Sequence, residues 1–159
     1  MYITHSSDET FAFGKVLGEF IQKGDSVLLY GDLGAGKSVL ARGIASALGV
    51  NEAMASPTFT LMQPYFGDNF PVYHFDLYRL SGEDELYYSG LEEKIGSDGA
   101  ALIEWPQQAD VCPEKRIEID ITRLEDADDR LIEIQIFGMD GRETQIINAL
   151  DAAFMPKEQ

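Results

Sequence analysis

Residues 28–49 read LLYGDLGAGKSVLARGIASALG, an apolar run that passes through a glycine-rich turn into a helical pattern. Together with Ser26 and Val27, the run Ser26 to Tyr30 has the length and continuity of a strand buried on both faces of a parallel sheet. From Lys37 to Leu48 the apolar spacing is helical, and Gly49 supplies a C-terminal stop. The turn itself, Gly31-Asp32-Leu33-Gly34-Ala35-Gly36-Lys37-Ser38, fits G-x-x-x-x-G-K-[ST] in the strand–loop–helix context that this phosphate-binding motif requires. Gly34 and Gly36 allow successive N–H groups to converge on one anion, and the helix start adds its positive dipole end. Lys37 can reach terminal phosphates as a compact cation. The Ser38 hydroxyl suits Mg²⁺, whose oxygen ligands lie at about 2.0–2.1 Å.

Outward from this loop the chain reads as one domain, with no internal repeat, low-complexity tract or long linker across its 159 residues. A chain of this size buries roughly two-thirds of its unfolded surface and can carry its own core. Toward the N-terminus, Ser7 is expected to cap a helix running to about Gln22, with Phe13, Leu17, Phe20 and Ile21 facing the core. Toward the C-terminus, TFTLMQPYF and FPVYHFDLYRL flank Gly67-Asp68-Asn69 and read as a hairpin. Acidic helical material follows at 83–95, broken by glycines, and AALIEW then reads as a short buried strand ended by Pro106. RIEIDITRL and RLIEIQIF alternate apolar and polar residues on either side of EDADD, as a half-exposed antiparallel hairpin does. A final amphipathic helix is expected at 143–154. The expected fold is α/β, a three-layer P-loop sandwich whose mixed sheet has a parallel centre and an antiparallel hairpin at its edge.

Charge narrows the function classes. With 28 acidic against 12 basic residues the net charge is −16, so the chain lacks the cations that neutralise a nucleic-acid backbone. A role with RNA would be indirect, through a partner that does the holding. No apolar run approaches the ~20 residues that span a bilayer. The N-terminal MYITHSSDETF has neither a basic start nor an apolar signal core, and a cytoplasmic protein is expected. Cys112 is the single cysteine and excludes an internal disulfide; it reads as a small half-buried side chain beside Pro113.

A phosphate loop alone does not name a reaction. In P-loop enzymes an acidic residue at the carboxyl end of a neighbouring strand helps to hold the metal. Glu104, ending ALIE, fits that position, and Asp76 in YHFDLYRL competes for it. Ser56-Pro57-Thr58 lies where P-loop switches sense the terminal phosphate, although a hydroxyl-capped turn has the same composition. His74 reads as a packed or hydrogen-bonded strand histidine. No Asn-Lys-x-Asp guanine motif occurs in the sequence, and no segment resembles the arginine-bearing lid of a small-molecule kinase.

GDLGAGKS, SPTFTL, YHFDLYRL and LIEWP, in this order, resemble the bacterial TsaE (YjeE) family, the ATPase component of tRNA N6-threonylcarbamoyladenosine synthesis. The similarity is strong over residues 26–106 and weak on the flanks, and Ser38 stands where threonine is common. The resemblance implies ATP bound by Leu33, Gly34, Ala35, Gly36, Lys37 and Ser38, with Mg²⁺ on Ser38 and Glu104. It implies a part in hydrolysis for Asp76 alongside Lys37, and a switch-loop hydroxyl at Thr58. Trp105 is similar to the family's tryptophan after the metal-binding glutamate. Thr10 and Arg130 resemble nucleotide-contacting residues, with helix capping or packing an equal account of Thr10. The implied partners are a two-protein threonylcarbamoyl transferase complex of the TsaB and TsaD type. That complex modifies adenosine 37 of tRNAs reading codons that begin with A, and ATP use supports its repeated turnover. Two other readings of the loop remain open: a nucleotide-dependent switch with incidental turnover, and a small-molecule kinase. Slow hydrolysis in isolation is expected, with Arg42 and Arg79 as conceivable internal arginine fingers.

Overall fold

The computed structural model describes residues 1–55, 57 and 60–156. Its seven strands are β1 (Tyr2–Thr4), β2 (Ser26–Tyr30), β3 (Met62–Phe66), β4 (Pro71–Asp76), β5 (Ala100–Glu104), β6 (Arg116–Arg123) and β7 (Arg130–Phe137). They form one sheet in the order β1-β7-β6-β2-β5-β4-β3. The central strands β6, β2, β5 and β4 pair in parallel. Antiparallel pairs close both edges, β6–β7–β1 on one side and β4–β3 on the other. The two sequence-local hairpins thus occupy opposite edges, rather than only one edge being antiparallel.

Both faces of the parallel centre are covered, which explains the unbroken apolar runs of β2 and β5. On one face, helices α1 (Ser7–Gly18), α2 (Lys37–Ala47) and α4 (Arg142–Ala153) cover a core that includes Val27, Leu29, Val72, Leu102 and Ile119. On the other, α3 (Glu83–Ser89) and 3₁₀ turns at Leu91–Lys94 and Pro106–Ala109 cover Leu28, Phe75, Ala101 and Ile103. The alternation assigns Val72, His74 and Asp76 of β4, with Leu102 and Glu104 of β5, to the α2 face.

Helix α1 is capped by Ser6, whose side chain accepts the Glu9 N–H at 3.1 Å, so the cap lies one residue before the expected Ser7. The helix ends at Gly18 rather than near Gln22, although Ile21 still reaches the core. Its contact with α2 is close enough to require glycine: a Cβ on Gly43 would lie 2.2 Å from the Phe11 carbonyl oxygen. Arg142 of α4 ties the start of β2 to the helical layer, its Nη1 and Nη2 donating to the Asp25 carboxylate at 2.5 and 3.0 Å. Cys112 is exposed rather than half-buried. Among the described residues no helix is long and apolar enough to cross a membrane.

Candidate functional site

The parallel pairing brings the sequence motifs together at the carboxyl ends of β2, β5 and β4. Leu29 and Asp76 both pair with Glu104, so the phosphate loop and the two acidic strand ends share one rim. Gly34 and Gly36 have φ of +76° and +114°, the left-handed region open to glycine at little cost, and Gly36 delivers the chain into α2. Among the described residues no side chain caps this helix start, so its first-turn N–H groups remain available to an anion. A cavity of about 280 Å³ is lined by residues 32–39 with Asp76, Glu104 and Trp105.

Lys37 is 5% exposed, and its ammonium donates to the carbonyls of Gly31 and Asp32, the latter at 3.2 Å. It also lies 3.9 Å from the centroid of the Trp105 ring, a cation–π contact. Trp105 reaches this place from a left-handed backbone, φ +58°, directly after β5. Burial lowers the Lys37 pKa, while Glu104, Asp76 and Asp32 act in the opposite direction. A phosphate in the cavity would offer this desolvated cation an anionic partner in place of neutral carbonyls.

Ser38 and Glu104 are directly linked, the Ser38 Oγ standing 3.1 Å from Oε1 and 3.2 Å from Oε2 of the carboxylate. The hydroxyl donates, which leaves its lone pairs free for a hard cation. Among the described residues no group of three or more His, Cys, Asp or Glu could hold a metal by protein ligands alone. The set present, one hydroxyl and two neighbouring carboxylates, suits Mg²⁺, which keeps several waters and takes further oxygens from phosphates. Asp76 Oδ1 accepts the Tyr78 N–H at 3.1 Å, which orients this carboxylate at the cavity wall.

Two expected nucleotide contacts are engaged with protein groups. The Thr10 hydroxyl bonds the Thr4 hydroxyl at 2.6 Å, leaving its methyl toward Gly36. Arg130 Nε donates to the Ala35 carbonyl at 2.7 Å, and its Nη1 to Ala127 and Asp129, so the guanidinium braces the loop. Thr58 lies outside the described residues. Two further residues belong to the site. His74 Nε2 lies 2.6 Å from Glu104 Oε2. Arg123 Nη1 would lie 3.7 Å from a Cβ at Gly34, and with Asp120, Gln107 and Tyr30 it lines a second cavity of about 370 Å³ that shares Asp32, Ala35 and Trp105 with the first. Arg123 sits in an ordinary alternating strand, so no local signal distinguishes it. The only local hint at His74 was a polar residue inside an otherwise apolar strand.

The family model for threonylcarbamoyl adenosine biosynthesis protein TsaE matches residues 4–132. The chain belongs to the TsaE family. It is 38% identical over 136 residues to the tRNA threonylcarbamoyladenosine biosynthesis protein TsaE of Bacillus subtilis, covering 85% of this chain and 84% of that protein. Identity to the TsaE protein of Treponema pallidum is 35% over 125 residues, covering 78% of this chain and 92% of the relative. The crystal structure of YdiB from Bacillus subtilis superposes with a TM-score of 0.73 at 32% identity, covering 95% of this chain and 93% of the other. Membership places the chain in tRNA threonylcarbamoyladenosine biosynthesis, and the TsaE match spans both the loop and the acidic strand ends.

Proposed function

We propose that the chain is a Mg²⁺-dependent ATPase that serves as an accessory subunit in the modification of tRNA adenosine 37. It would act with a two-protein threonylcarbamoyl transferase complex of the TsaB and TsaD type. The observation that carries this reading is the joining of Lys37, Ser38 and Glu104 around one cavity, beside Asp76, in a chain of the TsaE family. ATP would lie along the loop amides, with Lys37 released from the Gly31 and Asp32 carbonyls to its terminal phosphates. Ser38 and Glu104 would hold Mg²⁺, Glu104 directly or through water. The bound ion would neutralise phosphate charge as the terminal phosphoryl group departs. Asp76 would orient the attacking water, and Lys37 with the loop amides would stabilise charge in the transition state. We infer slow hydrolysis in isolation: the loop carries one lysine, and Arg130 donates to the carbonyls of Ala35, Ala127 and Asp129. The chain's net charge of −16 favours docking on a basic partner face over direct tRNA binding.

Titrating Mg²⁺ into ATP complexes of Glu104→Ala and Asp76→Ala tests the division of labour. Glu104→Ala weakens metal-dependent binding more, whereas Asp76→Ala mainly lowers turnover. Loss of magnesium dependence in Asp76→Ala alone would exchange the two roles.

A further inference from the structure

We propose that His74 is a positioning residue for Glu104, holding the carboxylate in the orientation that binds the metal; this rests on the magnesium-dependent reading above. The two side chains come from adjacent parallel strands. His74 pairs with Leu102 in the register, which puts it diagonally next to Glu104 on the α2 face. Both are almost fully buried, at 2% and 3% exposure.

The histidine Nε2–H donates to Oε2 of the carboxylate at 2.6 Å, a short bond to a charged acceptor. Its other ring nitrogen, Nδ1, is buried without a hydrogen-bond partner among the described residues. The imidazole therefore directs its hydrogen bonding to Glu104 and leaves a polar atom unsatisfied, a cost that an apolar side chain would not incur. Glu104 is consequently held from two elements, by His74 of β4 and by Ser38 of α2. With the carboxylate clamped in this way, its remaining lone pairs have a fixed direction at the cavity wall. A neighbour that orients a metal ligand in this manner commonly changes metal affinity 10- to 100-fold when removed.

The test measures ADP binding by calorimetry, first in chelator and then across a Mg²⁺ titration, on the purified full chain. His74→Phe keeps the ring but not the donor, and His74→Leu makes the same comparison if the first variant fails to fold. His74→Gln can place an amide N–H near the original Nε2, whereas the shorter His74→Asn places it near Nδ1. The expected result is metal-free ADP affinity within about twofold of wild type, with the Mg²⁺ midpoint raised about 10- to 100-fold in Phe or Leu. Gln should restore most of that shift and Asn should not. A wild-type Mg²⁺ midpoint in the Phe or Leu variant overturns the role of His74. So does an equal loss of affinity with and without metal, which would mark general damage to the core. Absence of any Mg²⁺ effect in the wild-type protein would instead overturn the metal-dependent reading, and this inference with it.

Discussion

The ammonium of Lys37 rests against the ring of Trp105, 3.9 Å from its centroid, while it donates to carbonyls of its own loop. Phosphate binding must draw the ammonium away from those carbonyls. Because Trp105 is the sole tryptophan, its fluorescence should change when ADP or ATP binds. Lys37→Ala should keep the fold, remove most of that change and lower nucleotide affinity roughly 10- to 150-fold, as expected for a lost charged hydrogen bond of about 1.5–3 kcal/mol. Wild-type affinity in this variant would sink the phosphate assignment of the loop.

Arg130 reaches the loop from β7 and braces Ala35 through a 2.7 Å hydrogen bond. Arg130→Met should loosen the loop without opening the core, reducing nucleotide affinity about fivefold for a net bond of about 1 kcal/mol. Equilibrium dialysis with labelled ADP would read this. An unchanged dissociation constant would show that the bracing is dispensable.

The position of α2 depends on its close approach to α1 at Gly43. Gly43→Ala drives a methyl group against the Phe11 carbonyl and should cost about 1–3 kcal/mol, lowering Tm by about 2–12 °C. Gly82 is a matched control, since a Cβ there meets nothing within 4 Å among the described residues. Equal melting temperatures for the two variants would contradict the close-packing account.

At the back of β4, the Tyr73 hydroxyl donates to Asp98 Oδ1 at 2.8 Å. This bond leads the causes that lower the Asp98 pKa, while burial leads those that raise the Tyr73 pKa. A lowered carboxylate pKa contributes stability above its unfolded value, about 3.9, and loses it as pH falls through the lower folded value. A raised phenol pKa contributes below about 10 and loses as pH rises through the folded value. The urea midpoint of Tyr73→Phe should therefore lie below that of wild type near neutrality and converge with it at both extremes. A gap independent of pH would mean that only packing was lost.

The loop and its flanking elements were legible because local chemistry determines them: an apolar run, the loop glycines Gly31, Gly34 and Gly36 with positive φ, and a helix stop at Gly49 all lie within residues 26–49. Strand β1 was not legible. Its three residues, Tyr2–Thr4, are too few to display a period, and they pair with β7 more than a hundred residues away. The end of α1 was obscured because Phe20 and Ile21 continue the apolar pattern after the helix has stopped. Glu104 could be found as an acidic residue at a strand end, whereas Asp76 read as lying inside a longer strand that in fact stops at it. The contact of His74 with Glu104, and the placing of Arg123 beside Gly34, arise from sheet register and loop packing that no single segment encodes.

The most direct measurement of the central claim follows threonylcarbamoyladenosine formation and phosphate release together, with tRNA in excess over the two transferase subunits. Several rounds of modification per complex are expected only when this chain and hydrolysable ATP are both present, with slow phosphate release from the chain alone. Equal multiple turnover without the chain, or with Lys37→Ala in its place, would overturn the accessory-ATPase reading.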